Sequence, residues 1–249
     1  MSLHGIKIPV LMYHKVGALL PDGNIDRFIS VSPQNFDKHM RLMRKLRYST
    51  VTFESAAKQL AAGKPLTEKQ FVVTFDDGYE CVGEHAAPTL HTLGFCATVF
   101  VVSSATGLQN SWDYANNKPV LPLMGWDRLL ELQAEGWELA GHTSTHPHLD
   151  RVTDEVALED IVAGKQEAEA RIGRPQTTFC YPYGGYATRT PELVKQAGYM
   201  AACTTKSGIA DSSKNPMLLP RVKIAYGDGA AGLIYRLIIR PRMPSMRRP

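Results

Sequence analysis

The sequence predicts an α/β fold: a single distorted (β/α) barrel of seven or eight strands, of the TIM-like type. Three observations predict it. Short apolar, β-branched runs alternate with helix-length segments about eight times, the pattern of a parallel sheet. Acids and histidines fall just after the C-terminal ends of those runs, where a parallel barrel places its chemistry. An open doubly wound sheet would need a nucleotide-type glycine loop or a switch point, and none is evident.

In chain order, Pro9-Val10-Leu11-Met12-Tyr13-His14 reads as a first strand ending in a polar pair. Ser32 caps a helix with Pro33 in its first turn, and Phe36, Met40, Met43 and Leu46 recur at helical spacing. Thr50-Val51-Thr52 is a brief strand, and Glu54–Ala62 a helix closed by Gly63. The run Gln70-Phe71-Val72-Val73 leads into Thr74-Phe75-Asp76-Asp77-Gly78-Tyr79 and reads as a buried strand broken by two acids and a glycine. A helix near Val82–Leu93 stops at Gly94, and Ala97–Val102 is the next strand. Residues 103–124 form a long loop of the kind that carries function.

Asp127 is the expected cap of a helix through Glu135, before the strand Trp137-Glu138-Leu139-Ala140. Thr153 caps an amphipathic helix to about Ile172, stopped by Gly173 and Pro175. Strand Thr177–Tyr181, helix Pro191–Ala197 with Gly198 as its C-cap, and strands Met200–Cys203 and Pro220–Ile224 complete the order. No repeat or interdomain linker interrupts it. The expected division is one domain over 6–235 and a basic tail over 236–249.

Composition sets bounds on function. The 249 residues are 44% hydrophobic and 21% charged, near globular averages, and no apolar run approaches the roughly 18 residues of a membrane span. The net charge of +4 is carried by the tail: Arg236, Arg240, Arg242, Arg247 and Arg248 stand from Tyr235 onward without an acid, leaving the rest at −1. A near-neutral body argues against nucleic-acid binding, while the basic, partly apolar tail suits weak contact with an anionic membrane surface or a loosely docked terminus. Cys81, Cys96, Cys180 and Cys203 share no zinc-knuckle or redox spacing and read as structural thiols. The start, Met1-Ser2-Leu3-His4-Gly5, shows neither the basic nor the apolar region of a signal peptide, which leaves the compartment open between cytoplasmic and exported.

Asp76 and Asp77 repel each other, so a fold that gathers both at a strand end supplies a cation or a proton; the bland alternative is a solvated turn. The decision comes from Gly141-His142-Thr143-Ser144-Thr145-His146-Pro147-His148. Histidines at i and i+4 share one face of a helical turn and can give two nitrogens to one metal. Both pairs follow strand ends that converge on one barrel mouth. Two imidazoles and a carboxylate suit zinc or another divalent first-row metal with positions left for water and substrate. A second carboxylate beside that water can take its proton, the arrangement of metal-assisted amide or ester hydrolysis.

Thr-Phe-Asp-Asp-Gly, a His-Thr-x-x-His beginning 66 residues after Asp76, and Tyr181-Pro182-Tyr183-Gly184 together resemble the polysaccharide deacetylases, the NodB-homology domain of carbohydrate esterase family 4. The likeness runs from Leu11-Met12-Tyr13-His14 to Leu219-Pro220-Arg221, and that opening Leu-Met-Tyr-His together with Tyr181-Pro182-Tyr183-Gly184 is similar to the branch containing biofilm poly-N-acetylglucosamine deacetylases. The resemblance implies a distorted (β/α) barrel and removal of acetyl groups from N-acetylated oligo- or polysaccharides. It implies Asp76 as general base, and Asp77, His142 and His146 as ligands of a divalent metal, zinc first, with cobalt or nickel as alternatives. It implies that the backbone N–H of Tyr183 serves the oxyanion.

Three departures stand against the family pattern. Cys180 occupies the position, two before the motif proline, where the family commonly has an arginine holding the base; Arg221, on the last strand, is the candidate to supply that charge. No histidine follows His148, although the family commonly has a late one that protonates the leaving amine, and the usual Asp-x-x-Asp-Trp is unrecognisable. His14, at the end of the first strand, is the candidate acid or sugar contact, against a structural histidine. Trp112 and Trp126 are candidates to stack on sugar, Trp126 rather for packing, and Tyr13, Tyr79 and Tyr186 are candidate rim contacts. The departures also motivate a second reading, a catalytically weak relative that binds glycans. Aspartate-based phosphoryl transfer fits poorly, because its acids usually stand two apart and without paired histidines.

Overall fold

The computed structural model describes residues 6–19, 26–112 and 120–239. Seven strands form a closed ring: β1 (Val10–Tyr13), β2 (Lys69–Phe75), β3 (Thr98–Val101), β4 (Glu138–Gly141), β5 (Thr178–Cys180), β6 (Ala201–Ser207) and β7 (Leu219–Lys223). Each pairs in parallel with the next, and β7 returns to pair with β1. Tyr48–Thr50 pairs with the start of β2 outside the ring, so the choice between seven and eight strands resolves to seven in the barrel and one alongside. The ring is irregular where β6 meets β7: Cys203 faces Leu219 but Ser207 faces Arg221, so β6 carries a bulge.

Beside a single turn at Asp26–Ile29, the helices among the described residues are α1 (Pro33–Lys45), α2 (Phe53–Ala62), α3 (Ala87–Thr92), α4 (Trp126–Ala134), α5 (Asp154–Ile172), α6 (Thr190–Gln196) and α7 (Ala230–Ile234). Ser32, Thr52 and Thr153 cap α1, α2 and α5 by accepting backbone N–H bonds. Gly63 and Gly173 close α2 and α5 in the left-handed conformation. Among the described residues, no helix is long and apolar enough to cross a membrane.

Strand alternation separates lumen from outer layer. Val10, Val72, Phe100, Ala140, Cys180, Ala201, Cys203 and Leu219 pack into one interior cluster with Phe53, Ala56, Ala57 and Leu60 of α2. Helix α2 thus floors the barrel: its Phe53 N–H donates to Thr98 Oγ1 at 2.8 Å and its Glu54 N–H to Glu138 Oε2 at 2.8 Å. Thr98, Glu138 and Thr178 are the first residues of β3, β4 and β5, so these polar contacts lie at the end opposite the mouth. The other strand faces join outer clusters, one containing Tyr13, Phe36, Met40 and Phe75, the other Ile161, Phe179, Leu193 and Tyr199.

Some local expectations change. Leu46 is 38% exposed rather than core, because α1 ends at Lys45 and Arg47 takes a left-handed φ of 61°. Gly125, not Asp127, occupies the N-cap of α4, without a side-chain bond. The Val82–Leu93 helix begins as a π-turn, Val82–Ala86, before α3. The 103–124 loop is pinned by bridges Gln109–Pro122 and Tyr79–Leu123; its residues 113–119 lie outside the described residues. Tyr235–Ile239 extends α7 as a π-turn, with Leu237 packed on the core; the rest of the tail also lies outside the described residues.

Candidate metal centre and active site

The alternation that puts Val72 and Thr74 in the lumen carries Asp76 there too, one residue past the end of β2, where its N–H donates to the Tyr13 carbonyl at 3.1 Å. Asp77 and Gly78 then both take left-handed backbone, φ 73° and 80°. This turn sends adjacent carboxylates to different neighbours. Asp is among the side chains that tolerate that region, and Gly78 adopts it freely.

Asp76 is buried and held by Arg221, whose Nη1 and Nη2 donate to its two oxygens at 2.6 and 2.7 Å. Arg221 is 0% exposed, and every guanidinium N–H has a use. Nη1 also donates to Thr74 Oγ1 at 3.0 Å, Nη2 to Cys180 Sγ at 3.1 Å, and Nε to the Thr204 carbonyl at 3.0 Å, within the β6 bulge. The Phe100 ring lies under the guanidinium carbon at 5.6 Å. Burial alone would raise the Asp76 pKa; the charge and hydrogen bonds of Arg221 reverse this and hold it below the ordinary carboxylate value. Burial raises the Cys180 thiol far above its ordinary value, so Cys180 stands beside this pair as a neutral group.

Asp77 faces the two histidines. Its Oδ1 lies 3.3 Å from Nε2 of His142 and 3.3 Å from Nε2 of His146. His142 continues the lumen face of β4 after Glu138 and Ala140. Its Nδ1–H donates to the Cys180 carbonyl at 2.7 Å, which aims Nε2 towards Asp77. His146 arrives differently from the helical turn expected of an i, i+4 pair. Residues 142–148 form an irregular loop in which Thr143 (φ 68°) and His146 (φ 62°) are left-handed. Thr143 Oγ1 closes it, accepting the His146 N–H at 3.0 Å.

The ligand atoms of Asp77, His142 and His146 lie within 4.8 Å of one another, and all three residues are buried. One carboxylate and two imidazoles with Nε2 turned inward fit a divalent first-row cation. Burial opposes ionisation of Asp77, but hydrogen bonds from His142 and His146 hold it well below the ordinary range. Asp76, His142 and Cys180 form a second close triad. It suits a cation poorly, since Arg221 occupies both Asp76 oxygens and the thiol is neutral.

The remaining candidates sort by geometry. His14 Nε2 lies 3.6 Å from Asp76 Oδ2, with a side chain 18% exposed, on the open side of the base. Tyr183 is left-handed at φ 57° in the turn Pro182–Gly184; its ring meets His146 edge-on at 4.5 Å and stacks on His148 at 3.9 Å. Trp112 stacks on His146 at 4.4 Å, so its ring covers a candidate ligand. Trp126 packs against the outer core. Two rim expectations fail: Tyr13 is buried in the outer layer with its hydroxyl 3.1 Å from His39 Nδ1, and Tyr79 is buried beside Asn110. Tyr186 is half-buried and paired with Lys206.

Missing from the sequence reading are Asp160, Gly164 and Glu167 of α5, which lie against the 142–146 loop. The available signal was a glycine inside a long helix, where it is costly without a packing reason.

A closed parallel barrel with paired acids and imidazoles at its mouth defines the class: a (β/α) barrel with a candidate divalent-cation site at the C-terminal ends of its strands. The chain belongs to the polysaccharide deacetylase family, whose model matches residues 63–202, and is thus a deacetylase-type hydrolase. The protein YxkH of Bacillus subtilis strain 168 is 27% identical over 221 residues, 89% of this chain and 72% of that one. The poly-β-1,6-N-acetyl-D-glucosamine N-deacetylase of Staphylococcus aureus strain MSSA476 is 21% identical over 205 residues, 79% and 68% of the two chains. Among solved structures, Streptococcus pyogenes deacetylase PplD, in complex with acetate, matches with TM-score 0.82 at 22% identity, over 96% of this chain and 100% of its own. IcaB from Ammonifex degensii matches with TM-score 0.79 at 23% identity, over 93% and 97%. These two matches establish the fold. His14 and Arg221 both lie outside the matched stretch, and the barrel brings them to the residues within it.

Proposed function

We propose that the protein removes N-acetyl groups from N-acetylated oligo- or polysaccharides, with Asp77, His142 and His146 holding a divalent cation, zinc first. The observation that carries this reading is the division of labour between adjacent acids: Asp76 is engaged by Arg221, while Asp77 faces two imidazoles. A cation held there supplies a Lewis acid that polarises the amide carbonyl and acidifies water.

Asp76 takes the proton of the attacking water, and Arg221 keeps its carboxylate ionised and oriented. The backbone N–H of Tyr183 donates to the oxyanion as it develops, an interaction typically worth a few kcal/mol. His14, 3.6 Å from Asp76, donates a proton to the departing amine in place of the absent late histidine. The bond broken is amide C–N; acetate leaves and the sugar retains an amine. Substrate preference for a β-1,6-linked N-acetylglucosamine polymer is supported by the name of the staphylococcal relative.

The decisive experiment incubates the purified protein, stripped or loaded with zinc or cobalt, with β-1,6-linked N-acetylglucosamine oligomers and measures acetate. Metal-dependent release is expected. Equal release by stripped protein would refute the metal assignment, and no release with any metal or N-acetylated oligomer would refute the activity.

Weak contact of the basic tail with an anionic membrane surface is a separate proposal. It is supported by the exposure of Tyr235 and Ile238 and by the four arginines that follow them in the sequence, while Arg236 pairs with Asp228. Sedimentation with vesicles containing an anionic lipid, compared with neutral vesicles, tests it; equal recovery in both refutes it.

A further inference from the structure

We propose that helix α5 is a positioning element for the metal centre, with Asp160 as its principal residue and Glu167 as its support. The inference rests on the metal-centre reading above and assigns what fixes the ligand loop. Asp160 Oδ1 accepts the backbone N–H of Ser144 at 2.9 Å and of Thr145 at 3.1 Å, and Oδ2 accepts the Thr145 hydroxyl at 2.5 Å. One turn on, Gly164 leaves no room for a side chain: an added Cβ would lie 2.4 Å from the Thr143 carbonyl carbon and 2.5 Å from Ser144 N. A further turn on, Glu167 Oε2 accepts hydroxyl bonds from Ser144 at 2.9 Å and Ser103 at 2.5 Å. Positions 160, 164 and 167 share one helix face, so α5 presents acceptor, gap and acceptor to a single stretch of loop.

That stretch joins the two candidate ligands, and it needs fixing. Thr143 and His146 are non-glycine residues in left-handed backbone, a conformation that persists where surrounding contacts over-determine it. The turn after β3 grips the other side, with Ser104 N–H and Oγ donating to the Ser144 carbonyl at 3.2 and 2.6 Å. The loop is held between the ligands, through its backbone and two hydroxyls, whereas the Cys180 carbonyl orients a ring nitrogen of His142 directly. Its consequence is preorganisation: His142 and His146 already converge on Asp77.

The test measures zinc affinity by competition with a chromophoric chelator, the visible spectrum of the cobalt-loaded protein, and turnover at saturating metal. Asp160→Ala is expected to weaken zinc binding by about 10- to 100-fold, in the range seen when outer partners of ligands are removed. Its turnover at saturating metal should stay within a few-fold of wild type. Asp160→Asn keeps an acceptor oxygen and should fall between the two. Glu167→Gln, at an exposed position, should weaken binding less than Asp160→Ala and serves if that variant does not fold. Zinc affinity and cobalt spectrum unchanged in the folded variants, even with a lowered melting temperature, would reduce α5 to a structural support and overturn the proposal. Wild-type protein that binds no divalent cation would overturn the metal-centre reading itself, a result visible before any variant is compared.

Discussion

Arg221 and Asp76, 145 residues apart in the chain, meet in the lumen through two parallel hydrogen bonds of 2.6 and 2.7 Å. The arginine enters from β7, one strand removed from β5, where Cys180 stands. The small thiol leaves space, and its neutrality removes competition for the guanidinium. Arg221→Met should therefore leave a buried, unpaired carboxylate and cost about 3–5 kcal/mol in a urea melt. Arg221→Lys retains charge but loses the planar fork and should lose turnover while still binding zinc. Wild-type stability and turnover in Arg221→Met would show that the pair matters to neither.

Cys180→Ala tests the neutral-thiol assignment. The side chain offers Asp76 only a weak contact, 3.6 Å from Sγ to Oδ2. Turnover should remain within a few-fold of wild type, with a stability loss of about 1 kcal/mol, the usual scale for a single substitution. A loss of turnover comparable with that of Asp76→Asn would instead place the thiol in the chemistry.

The two acids should separate cleanly by mutation. Asp76→Asn is expected to retain about one zinc per chain while losing about 100- to 10,000-fold in turnover, the range for a general base. His142→Ala should lose both metal and turnover. Metal content by elemental analysis beside acetate release distinguishes these outcomes, and an active Asp76→Asn would refute the base assignment.

Trp112, stacked on His146 at 4.4 Å, offers a spectroscopic reporter. Cobalt bound at the candidate centre should quench part of the fluorescence from the three tryptophans, and Trp112→Phe should remove most of that change. Quenching that persists in Trp112→Phe would mean that cobalt binds elsewhere or senses Trp126 or Trp137.

The barrel was legible because alternation and punctuation are local. Val72, Thr74 and Asp76 share a face by period two, and the same rule brings Ala140 and His142 inward. It would also have turned Tyr13 outward, since Val10 and Met12 take the inner positions of β1; the rim expectation for Tyr13 overlooked this. What was less legible depends on contacts distant in sequence. Arg221 could be named as the candidate partner of Asp76, but the two-point geometry of the pair is set by ring closure between β7 and β1 and by a bulge that no residue pattern announces. The path from His142 to His146 is set by left-handed backbone and by α5, so the i, i+4 spacing was a sound clue attached to the wrong local geometry.

Glu138 provides a test of the barrel floor away from the metal centre. Its buried carboxyl accepts bonds from the Glu54 N–H, the Thr98 hydroxyl and the Thr178 hydroxyl, joining α2 to three strands. Burial raises its pKa above the ordinary glutamate value; those hydrogen bonds oppose the rise and the nearby Glu54 carboxylate adds to it. A carboxyl whose pKa is higher folded than unfolded favours folding most when protonated. Its contribution is fully present below the unfolded value of about 4.3 and is lost as pH rises through the folded value. Glu138→Gln cannot titrate, so wild type should lose stability relative to this variant as pH rises from about 4 towards 7, in paired urea melts. A difference that grows in favour of wild type over that range would mean that the floor holds the carboxylate in its charged form, with the hydrogen bonds outweighing burial.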